Sequence, residues 1–296
     1  MQPAAEQNRA PSFNNTLVIF LVMAVLDSLF FVWARLLFPY IAPRVSVVYV
    51  MLLSSIQIGV IAALRKKLRL SMFLRNWRFY LVIGLLVAAS TYINYEAIAF
   101  IDPGTASMLS QFSIVFGLLW GLVWLREKFT SNQFIGAVIA VLGVLVVTFQ
   151  EGDYMRLGSL MVLSSALMYS FHAALVKRHG GEFDFFEFFF FRLASTLFFA
   201  SAFLLGSGGF QLPSPRAWLL LVLVATFDIA LGRSLYYIVL RRINISLLSV
   251  LLTLSPLLTV LWSLLLFKVT PTLLQLIGGL GILAGVALVS RSQKRP

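Results

Sequence analysis

The chain has no cysteine, two histidines and only 11% charged residues in a length of 296. Without cysteine there is no disulfide, no thiolate metal site and no cysteine nucleophile. His172 and His179 alone do not build a histidine-rich metal centre. A soluble domain carries about a quarter of its residues charged, so this sequence lacks the polar groups needed to clothe a water-facing surface. It has no phosphate-cradling glycine loop, no HExxH and no Walker pattern, so neither a metal nor another cofactor is expected, and energy for transport would come from gradients. Acidic residues are scarce, 11 against 23 Lys and Arg, for a net charge of +12. The excess is scattered between apolar blocks, which reads as membrane topology and not as a nucleic-acid face.

What is present is hydrocarbon: 60% hydrophobic residues, 14% aromatic, and a mean hydropathy of +0.94. A spanning helix takes about 20 apolar residues. Apolar blocks of that length occur at 16–38, 45–64, 79–99, 105–125, 132–149, 158–176, 185–205, 216–239, 246–267 and 272–290. The expectation is an all-α membrane protein of ten transmembrane helices, with no room for a soluble catalytic domain. Residues 1–15 are polar, contain Pro3 and Pro11, and read as a disordered lead; 291–296 read as a tail. Connections are short, so sequential helices pack antiparallel. Sixteen of the 23 basic residues fall on the amino-terminal side and four on the other, which places both termini in the cytoplasm. The absence of a transit segment favours a bacterial inner membrane.

A repeat runs through the chain at an offset of 142 residues. It aligns Trp120 with Trp262, Thr130 with Thr272, Gln133 with Gln275, Gly136 with Gly278 and Gly143 with Gly285, with 14 identities between 101–148 and 243–290. Two five-helix units are expected, 16–150 and 158–290. Five is odd, so the second unit enters the membrane from the opposite side, and the charge placement agrees: the connection around Asp102 has no Lys or Arg, while its counterpart holds Arg241 and Arg242. Inverted-topology repeats are a construction of secondary transporters.

The stretch from Trp120 through Glu127, Lys128 and Thr130 to Gln133, Gly136 and Gly143, with its second copy ending at Gln275, Gly278 and Gly285, resembles the drug/metabolite transporter superfamily. Within it the chain is similar to the ten-helix exporters of small metabolites with a duplicated five-helix domain. The departures are Val269 in place of a second Glu127, and Ile114 where the other half has Pro256. Among members the closest likeness is to bacterial exporters of aromatic and other neutral amino acids. The resemblance implies an amino-acid substrate and a lipid bilayer as partners; no nucleic acid is expected, and the chain is read as a monomer or weak homodimer.

Ionisable groups inside hydrocarbon are costly and need a partner, water or a function. Asp27, halfway along the first helix, is the first candidate for a substrate ammonium or a proton, with Phe30, Phe31 and Ala34 on its side. A purely structural Asp is the alternative. Glu96, with Tyr92 and Tyr95, marks a polar aromatic end of the third helix, either for binding or as an interfacial belt. Asp228 and Arg233, five apart in the eighth helix, are expected to look to different partners; Asp228 is a second coupling candidate. Arg233, beside Tyr236 and Tyr237, suits a carboxylate or snorkels to the interface.

Tyr169 and His172 occupy the repeat counterpart of the Asp27 region, where they would line one cavity with Trp33. The histidine is read as either a packing group or a proton relay. Gln111, Ser107, Ser110, Ser249, Thr253 and Ser255 supply neutral polar contacts or pack helices. The predicted substrate site is therefore Asp27, Phe31, Trp33, Tyr92, Tyr95, Gln111, Tyr169, His172, Asp228 and Tyr237. The Phe-rich run 184–192 is assigned to the lipid face, and the glycines of the fifth and tenth helices to close helix contact. The function expected is export of amino acids, aromatic ones included, by alternating access. The alternatives are another small metabolite or a drug cation, a polytopic membrane enzyme, or a passive channel.

Overall fold

A computed structural model describes residues 13–124, 130–148, 153–179, 184–235 and 254–291. The helices are α1 (Phe13–Ser28), α2 (Phe30–Leu37), α3 (Pro43–Leu64), α4 (Leu70–Arg75), α5 (Trp77–Ala97), α6 (Pro103–Ser110) and α7 (Ser113–Val123). They continue with α8 (Ser131–Thr148), α9 (Asp153–His179), α10 (Phe185–Ser207) and α11 (Pro215–Val224). The last runs into a π-helical segment, Ala225–Gly232, and α12 (Ser255–Phe267) and α13 (Leu273–Arg291) follow. Among the described residues six helical stretches are long and apolar enough to cross a membrane, and three shorter apolar helices accompany them. This is an all-helical, multi-pass membrane protein.

Local chemistry sets the ends. Asp102 accepts from the Thr105 N–H at 3.0 Å and Ser214 from the Ala217 N–H at 3.3 Å, each followed by a proline that needs no donor in the first turn. α10 ends where Gly208 takes a φ of 67°, a left-handed turn that costs glycine nothing.

Three of the expected spans are not continuous. The first breaks between Ser28 and Phe30, because the Ser28 carbonyl accepts the Thr259 hydroxyl at 2.8 Å and Leu29 N–H reaches back only three residues, to Leu26. The fourth breaks at Gln111 and Phe112, whose N–H groups also close three-residue turns. The eighth widens into the π-helical segment around Asp228, a distortion common at functional sites. Periodicity reports the apolar face of such spans, not the backbone register inside them.

The two halves mirror each other in detail. Trp120 Nε1 donates to Ser170 Oγ at 3.0 Å and Trp262 Nε1 to Ser28 Oγ at 3.1 Å; both members of the pair shift by the same 142 residues. The Thr130 N–H donates to Gln133 Oε1 at 2.9 Å while the Gln133 N–H donates to Thr130 Oγ1, and Thr272 with Gln275 repeats this capping box at 2.7 and 3.2 Å. Helices α8 and α13 cross through the glycines. A Cβ on Gly136 would lie 2.6 Å from the Gly285 carbonyl oxygen, and one on Gly143 2.6 Å from that of Gly278. The pairing is crosswise, each glycine meeting the counterpart of the other's, as a two-fold axis between these helices demands.

The rest of the bundle places α10 against α5 and α3, α9 against α5 and α7, and α12 against α6 and α1. Here the structure corrects the reading of the Phe-rich run. Glu187, Phe188, Phe189, Phe191 and Arg192 are all buried, Phe189 completely. Phe191 stacks on Phe73 at 5.0 Å, and Phe190 fills the space above Gly59 of α3. Phenylalanine on all sides of a helix belongs here to a helix with neighbours on several sides.

Candidate functional site

The polar groups of the membrane interior converge where the broken helices meet. Asp27, at the end of α1, accepts a hydrogen bond from Ser255 Oγ at 2.8 Å, and its other oxygen lies 3.8 Å from Arg233 Nη1. Arg233 thus turns inward to a carboxylate of the opposite half; it does not snorkel outward. Both side chains keep partial exposure, 34% for Asp27 and 24% for Arg233. Thr259 Oγ1 lies 2.8 Å from the Ser28 carbonyl, 3.0 Å from that of Ser255 and 3.2 Å from Ser107 Oγ; its single hydrogen serves a carbonyl and its lone pairs can accept from Ser107, so α1, α6 and α12 meet in one polar knot.

Asp228, in the π-helical segment, is 3% exposed and lies close enough to Asp27, Arg233 and Tyr95 for their charges and dipoles to interact. The five-residue spacing that keeps Asp228 and Arg233 apart on an α-helix brings them toward one side when the helix widens. Asp228 Oδ2 has no hydrogen-bond partner among the described residues. His172, 5% exposed, sits beside the Tyr169 ring at 5.3 Å and within electrostatic range of Arg192 and Arg233. Neither of its ring nitrogens makes a well-formed hydrogen bond among those residues. Arg192, 6% exposed, holds its guanidinium 5.5 Å from the Phe189 ring centre with Nε unpartnered. A buried polar group left unpaired costs about 1–3 kcal/mol. Two carboxylates, two guanidiniums and an imidazole, with unfilled donors and acceptors among them, form a constellation suited to a small polar guest bearing charge of either sign.

The aromatic candidates divide. Phe31 is 4% exposed and meets the Phe30 ring edge-on at 4.9 Å; Phe30 in turn meets buried Tyr95 at 5.9 Å. Trp33 packs against the same cluster with its indole N–H unpartnered. Phe30, Phe31 and Trp33 of α2, which follows Asp27 in the chain, thus gather with Tyr95 of α5 in one aromatic cluster. Tyr92 lies elsewhere, against Phe203 of α10 at 6.1 Å. Gln111 occupies the turn between α6 and α7, half-buried. Tyr237, Ser249 and Thr253 lie outside the described residues. Sequence reasoning carried Arg192 to the lipid face at the end of the Phe-rich run, and left Ser255 among several neutral hydroxyls. The signal for Ser255 was its repeat partner Ser113; no signal in one dimension joins it to Asp27.

Contacts between the halves lie near both ends of the bundle. On one side the Ala42 N–H donates to Gln211 Oε1 at 3.2 Å, near an Arg44–Glu96 pair at 3.3 Å within the first half. On the other, Lys67 Nζ lies 3.2 Å from Asp184 Oδ2 and the Arg65 guanidinium covers the Phe186 ring at 4.6 Å. Burial alone would raise the Asp184 carboxyl, yet the Lys67 contact and the Phe186 and Glu187 N–H groups hold it below its ordinary value.

Comparison with known proteins places this arrangement. An 86-residue match at 29% identity joins the chain to the uncharacterized transporter YdfC of Bacillus subtilis, covering 27% of this chain and 28% of that protein. Purine permease 2 of Arabidopsis thaliana is 30% identical over 107 residues, 33% of this chain and 30% of the permease. Each match spans less than a third of the relative's length. A solved structure titled "Crystal structure of protein" superposes with a TM-score of 0.66 over 93% of this chain and 97% of that one, at 18% identity, which is a likeness of fold. The EamA-like transporter family model matches twice, over residues 14–149 and 156–291, and with both halves of the bundle accounted for the chain belongs to that family of the drug/metabolite transporter superfamily.

Proposed function

We propose that the chain is a secondary transporter exporting small zwitterionic metabolites, amino acids with aromatic ones included, by alternating access of the cavity between its two halves. The observation that carries this reading is the meeting of Asp27 from the first half with Arg233 and Ser255 from the second, beside buried Asp228, His172 and Arg192. A zwitterion matches such a set pole for pole: carboxylates take an ammonium, and a guanidinium takes a carboxylate. The cluster of Phe31, Trp33 and Tyr95 suits an apolar or aromatic side chain. Asp27 and Asp228 are the groups proposed to couple transport to protons. The charge bias of the connections supports both termini in the cytoplasm of a bacterial inner membrane, and the protein works as a monomer or weak homodimer.

A second reading, a flat nitrogen heterocycle, is favoured by the local likeness to a purine permease and by the free indole N–H of Trp33. Counterflow in liposomes separates the two. Labelled phenylalanine or threonine outside, with a panel of unlabelled metabolites inside, should accumulate only against internal amino acids. Accumulation of labelled adenine against internal purines, with none for amino acids, would replace the first reading by the second.

A further inference from the structure

Residues 65–78, which lead from the end of α3 into the start of α5, hold six Lys and Arg and no carboxylate. The short helix α4 among them is anchored through Phe73, which stacks on Phe191 at 5.0 Å and meets the Tyr80 ring at a tilt at 5.6 Å. Leu70, Leu74 and Trp77 around it are left 63%, 60% and 47% exposed. Successive turns of helix carry Leu70 and Leu74 on one stripe, and Trp77 extends it into α5.

The cations are divided by the same packing. Lys67 pairs with Asp184 and Arg65 lies over Phe186, so both are engaged with the second half. Lys66, Arg69 and Arg75 are exposed beside the leucine stripe, and Lys66 takes a left-handed φ of 52° that turns the chain at the end of α3. An exposed apolar stripe with a basic flank and no carboxylate within its own segment has the chemistry of an interfacial helix. Clusters of four to eight Lys and Arg against a spanning helix attract anionic headgroups.

We infer that residues 64–78 form a binding site for anionic phospholipids, the leucines and Trp77 entering the acyl boundary and Lys66, Arg69 and Arg75 holding the phosphates. Its ligand is a bilayer lipid and not a free phosphate, because half of the surface is hydrocarbon. The site does not depend on what the central cavity carries.

Trp77 supplies the reporter. The full-length protein is placed in phosphatidylcholine vesicles holding equal fractions of either brominated phosphatidylglycerol or brominated phosphatidylcholine, and the Trp77 signal is taken as the difference between the parent and Trp77→Phe. Brominated phosphatidylglycerol is expected to quench Trp77 at least about twice as strongly, and high salt is expected to remove the difference. The triple variant K66Q/R69Q/R75Q should be quenched equally by both lipids. The salt series needs no variant, so a misfolded triple mutant would leave the result intact. Equal quenching in the parent, a preference that persists in the triple variant, or a preference abolished by millimolar inorganic phosphate at constant ionic strength would overturn the inference.

Discussion

Asp27 has three relations that set its behaviour: a hydrogen bond from Ser255, a long ion pair with Arg233, and a position one residue before the break in the first span. The Arg233 guanidinium lies 3.8 Å from its carboxylate, at the outer edge of ion-pair distance. Asp27→Asn keeps the shape and the Ser255 contact but leaves Arg233 facing a neutral group. Counterflow is expected to fall about tenfold to a hundredfold, corresponding to roughly 1–3 kcal/mol of lost interaction, and its pH dependence to flatten. Unchanged transport across a pH series would remove Asp27 from the mechanism. The residue itself was legible from sequence, since a lone Asp amid apolar residues has few bland explanations. Its partners were not, because Ser255 and Arg233 lie more than 200 residues away and only the fold brings them near.

Elements show where one-dimensional reading fails and why. The Phe-rich face of α10 was assigned to lipid because lipid and protein interior accept phenylalanine equally well; only the neighbours distinguish them. Phe189, fully buried, and Phe198, 63% exposed, make the contrast testable. Phe189→Ala should cost about 3–5 kcal/mol through the cavity it leaves, whereas Phe198→Ala should change the thermal midpoint in detergent little. Comparable losses for both would mean that α10 is not packed as described.

The glycines of α8 and α13 behave oppositely. Their sequence spacing already pointed to close helix contact, and the structure supplies the partner. Gly143→Val would place methyl groups against the Gly278 carbonyl and Ile282 backbone, which lie 2.6 and 2.7 Å from the Cβ position alone. Overpacking of this kind costs about 1–3 kcal/mol or more, read as a lowered midpoint. Gly117→Val, where a Cβ meets nothing within 4 Å, is the control expected to hold.

For the whole molecule, the interesting contacts join the halves at the two membrane faces. Asp184 is held below its ordinary value by Lys67 and by the first N–H groups of α10. A depressed carboxylate contributes stability that is fully present above its unfolded value and is lost as pH falls through the folded one. Asp184→Asn is therefore expected to lower the midpoint at neutral pH, with the difference from the parent shrinking as pH falls below about 4. A difference that stays constant to the lowest pH would show that the charge of Asp184 plays no part in joining α3 to α10.

By itself the sequence determined the class of molecule, since 11% charge and blocks of spanning length leave a membrane as the only solvent in which this chain buries its apolar surface. It also determined the duplication, because Trp120, Gln133, Gly136 and Gly143 recur at a constant interval, and an odd number of helices per unit forces the second copy to invert. Only the tertiary structure decided that the Trp–Ser bonds and capping boxes obey one two-fold relation, that the eighth span widens at Asp228, and that Arg192 and Glu187 point inward. Periodicity averages over a turn and carries no distance between segments. Hydrogen bonds between Ser28 and Thr259, or between Asp27 and Ser255, are decided by where two helices cross. Such a crossing is set by packing between helices far apart in the chain, on which composition is silent.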